Sequence, residues 1–289
     1  MKSYKIIITA IVICLTCSYC NQQQPATPEV KNTVVKPPKK RIAPSNVNYH
    51  FEKAKQWMRS HTGAAVNIAE AVNRMDSSHL AKADSILVPG DLGGDIEFYL
   101  PFPLAVPSLK NIDKILVFSY PAQSFAAYEA GELVYAGPTN MGRKSDPTPP
   151  GLYYTNWKAE ETTSTFNDEW NLRWNFNIEN KLGIGFHQYE LPGYPASHSC
   201  LRLTEKDARF LYSWADQWIL KNDSLLAKGT PVIVFGQYDF AAAKPWLQLA
   251  ADPHALDIST SLMDKETAAF IPGILQEQQK RAAITAGAK

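Results

Sequence analysis

The sequence predicts an α+β chain with a mostly-β centre, a helical region before it and a helical tail behind it. Three observations carry this. From Ile112 to Gly236 short apolar runs of strand length alternate with Gly- and Pro-marked turns. Ahead of them, Phe51, Ala54, Trp57 and Met58, then Ile68, Ala69, Val72 and Met75, recur at helical spacing. Beyond Asp239 the chain is rich in alanine and glutamine, with helical stretches and a frayed end expected over Arg281 to Lys289.

The first twenty residues read as a targeting signal. Met1 to Lys5 is a short basic start and Ile6 to Leu15 an apolar core of signal-peptide length, too short for a membrane span. Cys14, Cys17 and Cys20 crowd its end, which suggests a lipoprotein signal whose cleaved chain begins at a lipid-modified cysteine. Cys20, followed by polar Asn21 to Gln24, is the first candidate despite bulky Tyr19 before it; Cys17 is the second. The expectation is therefore an envelope protein on the periplasmic side, anchored to a membrane through lipid.

Residues 21–48 lack helical or strand period and read as a solvated tether, with Lys36, Lys39, Lys40 and Arg41 keeping it soluble. Residues 49–107 form an N-terminal helical region, a prelude packed on the β-rich domain. Its run N-R-M-D-x-x-H-L-x-x-A-D-S-I-L-V-P resembles the latter half of a LysM glycan-binding module, although the opening strand of such a module is not evident. Prolines 101, 103 and 107 mark Phe98 to Pro107 as a connector.

Residues 108–237 are the β-rich domain and 238–289 the C-terminal tail. Ile115 to Tyr120 is a strand, and Ser124 to Tyr128 and Leu133 to Ala136 flank a hairpin turn. Further strands are expected at Leu152 to Thr155, Ile184 to His187 and Pro231 to Phe235. The stretch Phe166 to Ile178, with Trp170, Trp174 and Phe176, lines a cleft or closes the core. Thr204-Glu205-Lys206-Asp207 opens a helix with Thr204 as cap, and Ala208, Leu211, Tyr212, Ala215, Trp218 and Ile219 share its apolar face.

A formal net charge of +1 leaves no basic excess to neutralise phosphates, which argues against a nucleic-acid partner. No metal or cofactor motif is present, and nothing in the sequence points to a protein partner. The chemistry concentrates in P-G-Y-P-A-S-H-S-C-L-R-L, Pro192 to Leu203. Cys200 is the only cysteine outside the first twenty residues, so after export it has no intrachain partner in an oxidising compartment. A lone thiol there is a candidate nucleophile. His187 and His198 are the histidines near it, and one of them should be the base; His50, His61, His79 and His254 read as surface or packing residues. A helix starting directly after Cys200 would depress the thiol pKa, and the backbone N–H groups of Ser199 and Cys200 would serve an oxyanion.

His187 followed by S-H-S-C-L-R-L, with Thr148-Pro149-Pro150-Gly151 upstream, resembles the active-site signature of the L,D-transpeptidases. The resemblance spans about Ile112 to Gly236. It implies a β-sandwich catalytic domain acting on peptidoglycan stem peptides, with Cys200 attacking the bond between an L-centred residue and a terminal D-residue. It also implies that His187 is the base, that the backbone carbonyl of Gln188 orients it, and that His198 shapes the oxyanion turn with Ser199. Arg202 would support the site or hold a substrate carboxylate, and Ser197 would lie at the substrate. Two departures stand out: Ser199 replaces a glycine, and only nine residues separate His187 from Ser197, giving a shorter and stiffer loop. Transfer to water, making a hydrolase, and a non-catalytic wall-binding lipoprotein are the competing readings.

Overall fold

The structure is a computed structural model that describes residues 40–164 and 171–287. The expected signal (1–20) with Cys17 and Cys20, most of the tether, and Phe166 to Trp170 lie outside the described residues. No helix among the described residues is long and apolar enough to cross a membrane.

The N-terminal region runs β1 (Tyr49–Lys53), α1 (Ala54–Ser60), α2 (Ala64–Asn73), α3 (Ser77–Lys82) and β2 (Ser85–Pro89). β1 pairs antiparallel with β2 from Tyr49↔Pro89 to Lys53↔Ser85. The opening strand therefore exists, and Phe51, expected on the first helix, is an exposed strand residue. Pairing with β2 explains the error: Phe51 lies opposite Leu87 in the ladder with its side chain exposed, so the helical apolar pattern begins only at Ala54. The tether is also shorter than expected. Arg41 donates to the Leu133 carbonyl and lies 3.6 Å from Glu97, while the Ile42 and Ser45 amides bond Asp95 and Asp91. Arg41 is thus a docked side chain, not a solubilising one.

The centre holds β3 (Ile115–Ser119), β4 (Ser124–Glu129), β5 (Glu132–Pro138), β6 (Gly151–Tyr154), β7 (Lys158–Thr163), β8 (Asn171–Glu179), β9 (Ile184–Gln188) and β10 (Leu201–Leu203). It continues with α4 (Glu205–Trp214), the small hairpin β11 (Ile219–Lys221) and β12 (Ser224–Ala227), and β13 (Pro231–Phe235). Five strands form one sheet in the order β5-β4-β3-β13-β6, and four form a second in the order β10-β9-β8-β7. β13 runs parallel to β3, and β10 parallel to β9.

Period-two alternation in the five-stranded sheet sends side chains to two different cores. Leu116, Phe118, Phe125, Val232 and Val234 face the second sheet and meet Phe176, Phe186, Leu201 and Leu203 together with Leu211 of α4. Ile115, Val117, Tyr128, Ile233 and Phe235 face the other way, against Val106, Leu109, Ile258, Met263 and Ile274. Both faces are covered, which is why β3 and β13 read as unbroken apolar runs.

Thr204 caps α4, accepting the Asp207 N–H at 3.3 Å and donating its hydroxyl to the Asp207 carboxylate at 2.7 Å. The helix stops at Trp214, so Trp218 and Ile219 are not on its apolar face; they lead into β11. The tail forms α5 (Thr260–Thr267) and α6 (Ile271–Gly287), with helix persisting through most of the end expected to fray. Trp246 and Leu249 of the tail pack with Tyr49, Ile68, Val72 and Leu87, joining the two ends of the chain.

Phe186 is fully buried between the sheets, its ring 5.3 Å from that of Phe176. Phe186→Ala is expected to destabilise the fold by about 3–5 kcal/mol, read as a lower midpoint in urea unfolding.

Candidate active site

β9 and β10 are adjacent and parallel, with Phe186 opposite Leu201, His187 opposite Arg202 and Gln188 opposite Leu203. Because Phe186, Leu201 and Leu203 face the core, His187 and Arg202 project from the other face. Cys200 lies two residues before Arg202 and so shares that face, against Gly185. There a side chain has no room, because any Cβ would sit 2.7 Å from the Phe176 carbonyl. Cys200, His187 and Arg202 meet in a pocket of about 210 Å³, also lined by Trp157, Leu172, Asn175, Asn177, Tyr189 and His198.

His187 is 3 % exposed, and its Nδ1 lies 3.0 Å from the Gln188 carbonyl. A carbonyl only accepts, so Nδ1 carries the proton and Nε2 keeps a lone pair. Burial drives the imidazole pKa down to about 4, helped by the Arg202 charge and opposed by the Gln188 carbonyl. His187 is therefore a neutral imidazole at physiological pH.

The thiol of Cys200 donates to the Gly183 carbonyl at 3.7 Å. Burial pushes its pKa up, against smaller favourable effects from the Gly185 backbone N–H and Arg202. The expected helix does not follow directly. The three residues of β10 and the cap Thr204 intervene, and at ~3.3 Å per extended residue the start of α4 is beyond reach of the sulfur, since a helix dipole acts within about one turn. The resting pair is a neutral thiol beside a neutral imidazole.

The loop carrying Cys200 is fixed by polar contacts from the segment after β5. The Ala196 and Ser197 amides both donate to the Met141 carbonyl at 3.1 Å, and the Arg143 amide donates to the Ser197 carbonyl at 2.9 Å. Asn140 exchanges backbone hydrogen bonds with Arg202 and accepts the Ala196 N–H on its side chain, while the Thr139 hydroxyl donates to the Arg202 carbonyl. Thr148 is fully buried; it accepts the Gly142 N–H at 2.9 Å and donates to the Ser199 carbonyl at 2.9 Å. The T-P-x-G turn thus holds the nucleophile loop. The sequence reading missed Thr139, Asn140 and Met141; a polar Thr-Asn pair closing an apolar strand is the only signal they leave.

Ser199 has φ +74°, the left-handed conformation that suits glycine. A non-glycine residue there stores about 1–3 kcal/mol, offset in part by its hydroxyl donating to the Asp146 carbonyl at 3.2 Å. Among the described residues, the Ser199 and Cys200 amides donate to no protein acceptor, which leaves both for an oxyanion. Ser197, expected at the substrate, is 1 % exposed and spends its hydroxyl on the Cys200 carbonyl at 2.6 Å. His198 is half-buried at the rim; burial, then the Arg143 charge, hold its pKa below the usual range. Arg202 lies over the Tyr189 ring at 4.4 Å, presenting a cation to the pocket without a paired carboxylate among its lining residues.

Thr148→Val keeps the shape of the side chain but orphans the Gly142 N–H. It is expected to cost about 1–3 kcal/mol in urea unfolding and to speed alkylation of Cys200 as its loop loosens. Ser199→Gly removes the positive-φ cost and the Asp146 contact together, so it should leave stability unchanged or raise it by up to ~1 kcal/mol.

Residues 113–234, which contain every residue lining the pocket, match the family model described as the YkuD L,D-transpeptidase catalytic domain. No curated protein matches the chain. Among solved structures, an L,D-transpeptidase from Stackebrandtia nassauensis aligns at 23 % identity over 44 % of this chain and 57 % of that one, with a TM-score of 0.36. One from Mycobacterium tuberculosis H37Rv aligns at 21 % over 43 % and 58 %, TM-score 0.35, and one from Mycobacterium smegmatis at 19 % over 43 % and 59 %, TM-score 0.35. The chain thus spans under two thirds of the length of these proteins. By the family match, residues 113–234 are similar to the L,D-transpeptidase catalytic domain.

Proposed function

We propose that the chain is a peptidoglycan L,D-transpeptidase working through a Cys200 acyl-enzyme. The observation that carries the reading is the shared face of Cys200 and His187, with Nδ1 committed to Gln188 and Nε2 left as the base. Nε2 takes the thiol proton as sulfur attacks the carbonyl that joins an L-centred stem residue to its terminal D-residue. The oxyanion that forms is received by the Ser199 and Cys200 amides. Collapse breaks the C–N bond, and the proton on His187 passes to the departing amine. An acceptor amine then loses a proton to His187 while attacking the thioester, which forms the new amide and releases the thiol. Arg202 receives a substrate carboxylate, a task suited to its planar fork.

Because burial disfavours both charged forms, proton transfer accompanies attack; no preformed thiolate–imidazolium pair is needed. The same reading includes export and lipid attachment at Cys20 or Cys17, supported by the signal-like start of the sequence.

Incubation with muropeptides bearing tetrapeptide stems, read by mass spectrometry, decides the reaction: crosslinked dimers are expected. Tripeptides alone would make the protein a hydrolase, and unchanged substrate a non-catalytic wall-binding module. His187→Ala should lower turnover by about 10²–10⁴-fold with the fold intact; persistence of activity would move the base elsewhere.

The pH dependence comes from the two burials. Imidazole stays neutral until pH falls to about 4, so kcat/KM should be level through neutral pH and fall at that acid edge. Over the interval from 6.5 down to about 4 the unfolded chain binds the His187 proton that the folded chain refuses, so stability also declines as pH drops. With the thiol pKa raised, iodoacetamide should label Cys200 at pH 7 more slowly than it labels a free cysteine, and faster as pH rises. Faster labelling than free cysteine at pH 7 would show a preformed thiolate.

A further inference from the structure

The short loop from Gln188 to Ala196 is gripped by the N-terminal helical region, which lies outside the matched domain. The Asp76 N–H donates to the Leu191 carbonyl at 3.0 Å, and the Asp76 carboxylate accepts the Leu191 N–H at 2.7 Å. Met75 pairs with Pro192 in an antiparallel bridge. Gly193 has φ +79°, and a Cβ there would lie 2.6 Å from the Met75 Cε. Residues 73–76 and 191–193 are therefore in contact without spare room.

The two carboxylate oxygens of Asp76 do different work. Oδ1 caps α3, accepting the His79 N–H at 3.0 Å and the Ser78 hydroxyl at 2.7 Å. Oδ2 reaches Leu191 and the His79 ring, at 2.7 and 2.8 Å. Burial works against the Asp76 charge, but these hydrogen bonds outweigh it and hold its pKa below the usual carboxylate range. A cap needs one oxygen; the second belongs to the loop. Two residues before Leu191 is Tyr189, whose ring carries the Arg202 guanidinium at 4.4 Å and meets the His187 ring edge-on at 5.9 Å.

We propose that Asp76 is a positioning residue for the active site, fixing Tyr189 through Leu191 and thereby Arg202 and the rim where the acyl acceptor enters. The inference rests on the transpeptidase reading and deepens it: a segment outside the catalytic domain sets the partition between amine and water. A loosened rim admits water to the thioester and holds the acceptor less well.

The experiment compares the full chain with Asp76→Asn, which keeps a capping oxygen but offers Leu191 an amide in place of a carboxylate. Asparagine caps as well as aspartate, so α3 should stay intact, and the orphaned Leu191 N–H should lower the thermal midpoint by only a few degrees. Cys200 alkylation should also be unchanged, because its loop is held by Met141 and Thr148. With tetrapeptide muropeptides, kcat/KM for dimer formation should fall about tenfold, the scale of one charge-assisted hydrogen bond, and the ratio of tripeptide to dimer should rise. The Leu191 amide should lose protection from hydrogen exchange. Parental kinetics and product ratio in the variant would overturn the proposal, as would a loss of activity that merely tracks a lowered midpoint. Should Asp76→Asn not fold, Asp76→Ser caps with one hydroxyl and carries the same expectations. An inactive parent chain would overturn the transpeptidase reading itself, whereas unaltered exchange at Leu191 would overturn the clamp alone.

Discussion

Three residues of parallel pairing hold the site together. β10 is a three-residue strand on the edge of its sheet, too short to persist on its own ladder. Yet it brings Arg202 beside His187 and Cys200 over Gly185. What keeps it there is a second set of hydrogen bonds on its open side: Asn140 pairs with the Arg202 backbone, Thr139 bonds the Arg202 carbonyl, and Thr148 takes the carbonyl of Ser199. The strand is paired on one edge and clamped on the other, so the chain can hold Ser199 in a left-handed conformation that serine would otherwise leave.

That clamp also makes an uncharged pair compatible with the proposed chemistry. The strand pairing places the thiol and imidazole in a buried setting where neither ionises readily; burial raises one pKa and lowers the other. Such a pair gives little reactivity at rest, which protects a lone thiol from chance oxidation. In the proposed reaction, charge develops only when a carbonyl is present to take the electrons, beside backbone amides and the Arg202 cation. The protection and the chemistry come from the same geometry.

The parts legible in the sequence are those set by local pattern. The hairpin at β4 and β5, the Thr204 cap and the buried β13 all come from spacing and residue type, whereas the choice of His187 over His198 as the partner of Cys200 comes from the family resemblance. The Thr148 turn is visible as a motif, though not as a hydrogen bond to Ser199. Less legible are features whose partners are remote. Leu201-Arg202-Leu203 reads as well as the start of a helix as it does as a strand, and only β9 beside it decides. The strand at Tyr49 to Lys53 exists because Ser85 to Pro89 returns to pair with it. Arg41 and Asp76 look like solvated charges until Glu97 and Leu191 arrive from distant parts of the chain.

The central sheet places a final constraint on how the chain must be organised. Its odd and even residues enter two cores, one against the catalytic sheet and one against segments that lie mostly beyond residues 113–234. Ile115, Val117, Ile233 and Phe235 are covered by Val106 and Leu109 from before the domain and by Ile258, Met263 and Ile274 from after it. Cut to the matched domain, that face would lie bare in water. Burial of apolar area is worth about 25 cal/mol per Å², so a whole exposed sheet face outweighs the few kcal/mol by which domains are stable. The flanking regions are therefore structural parts of the catalytic unit, and once they must pack there anyway, Asp76 is within reach of the active-site loop.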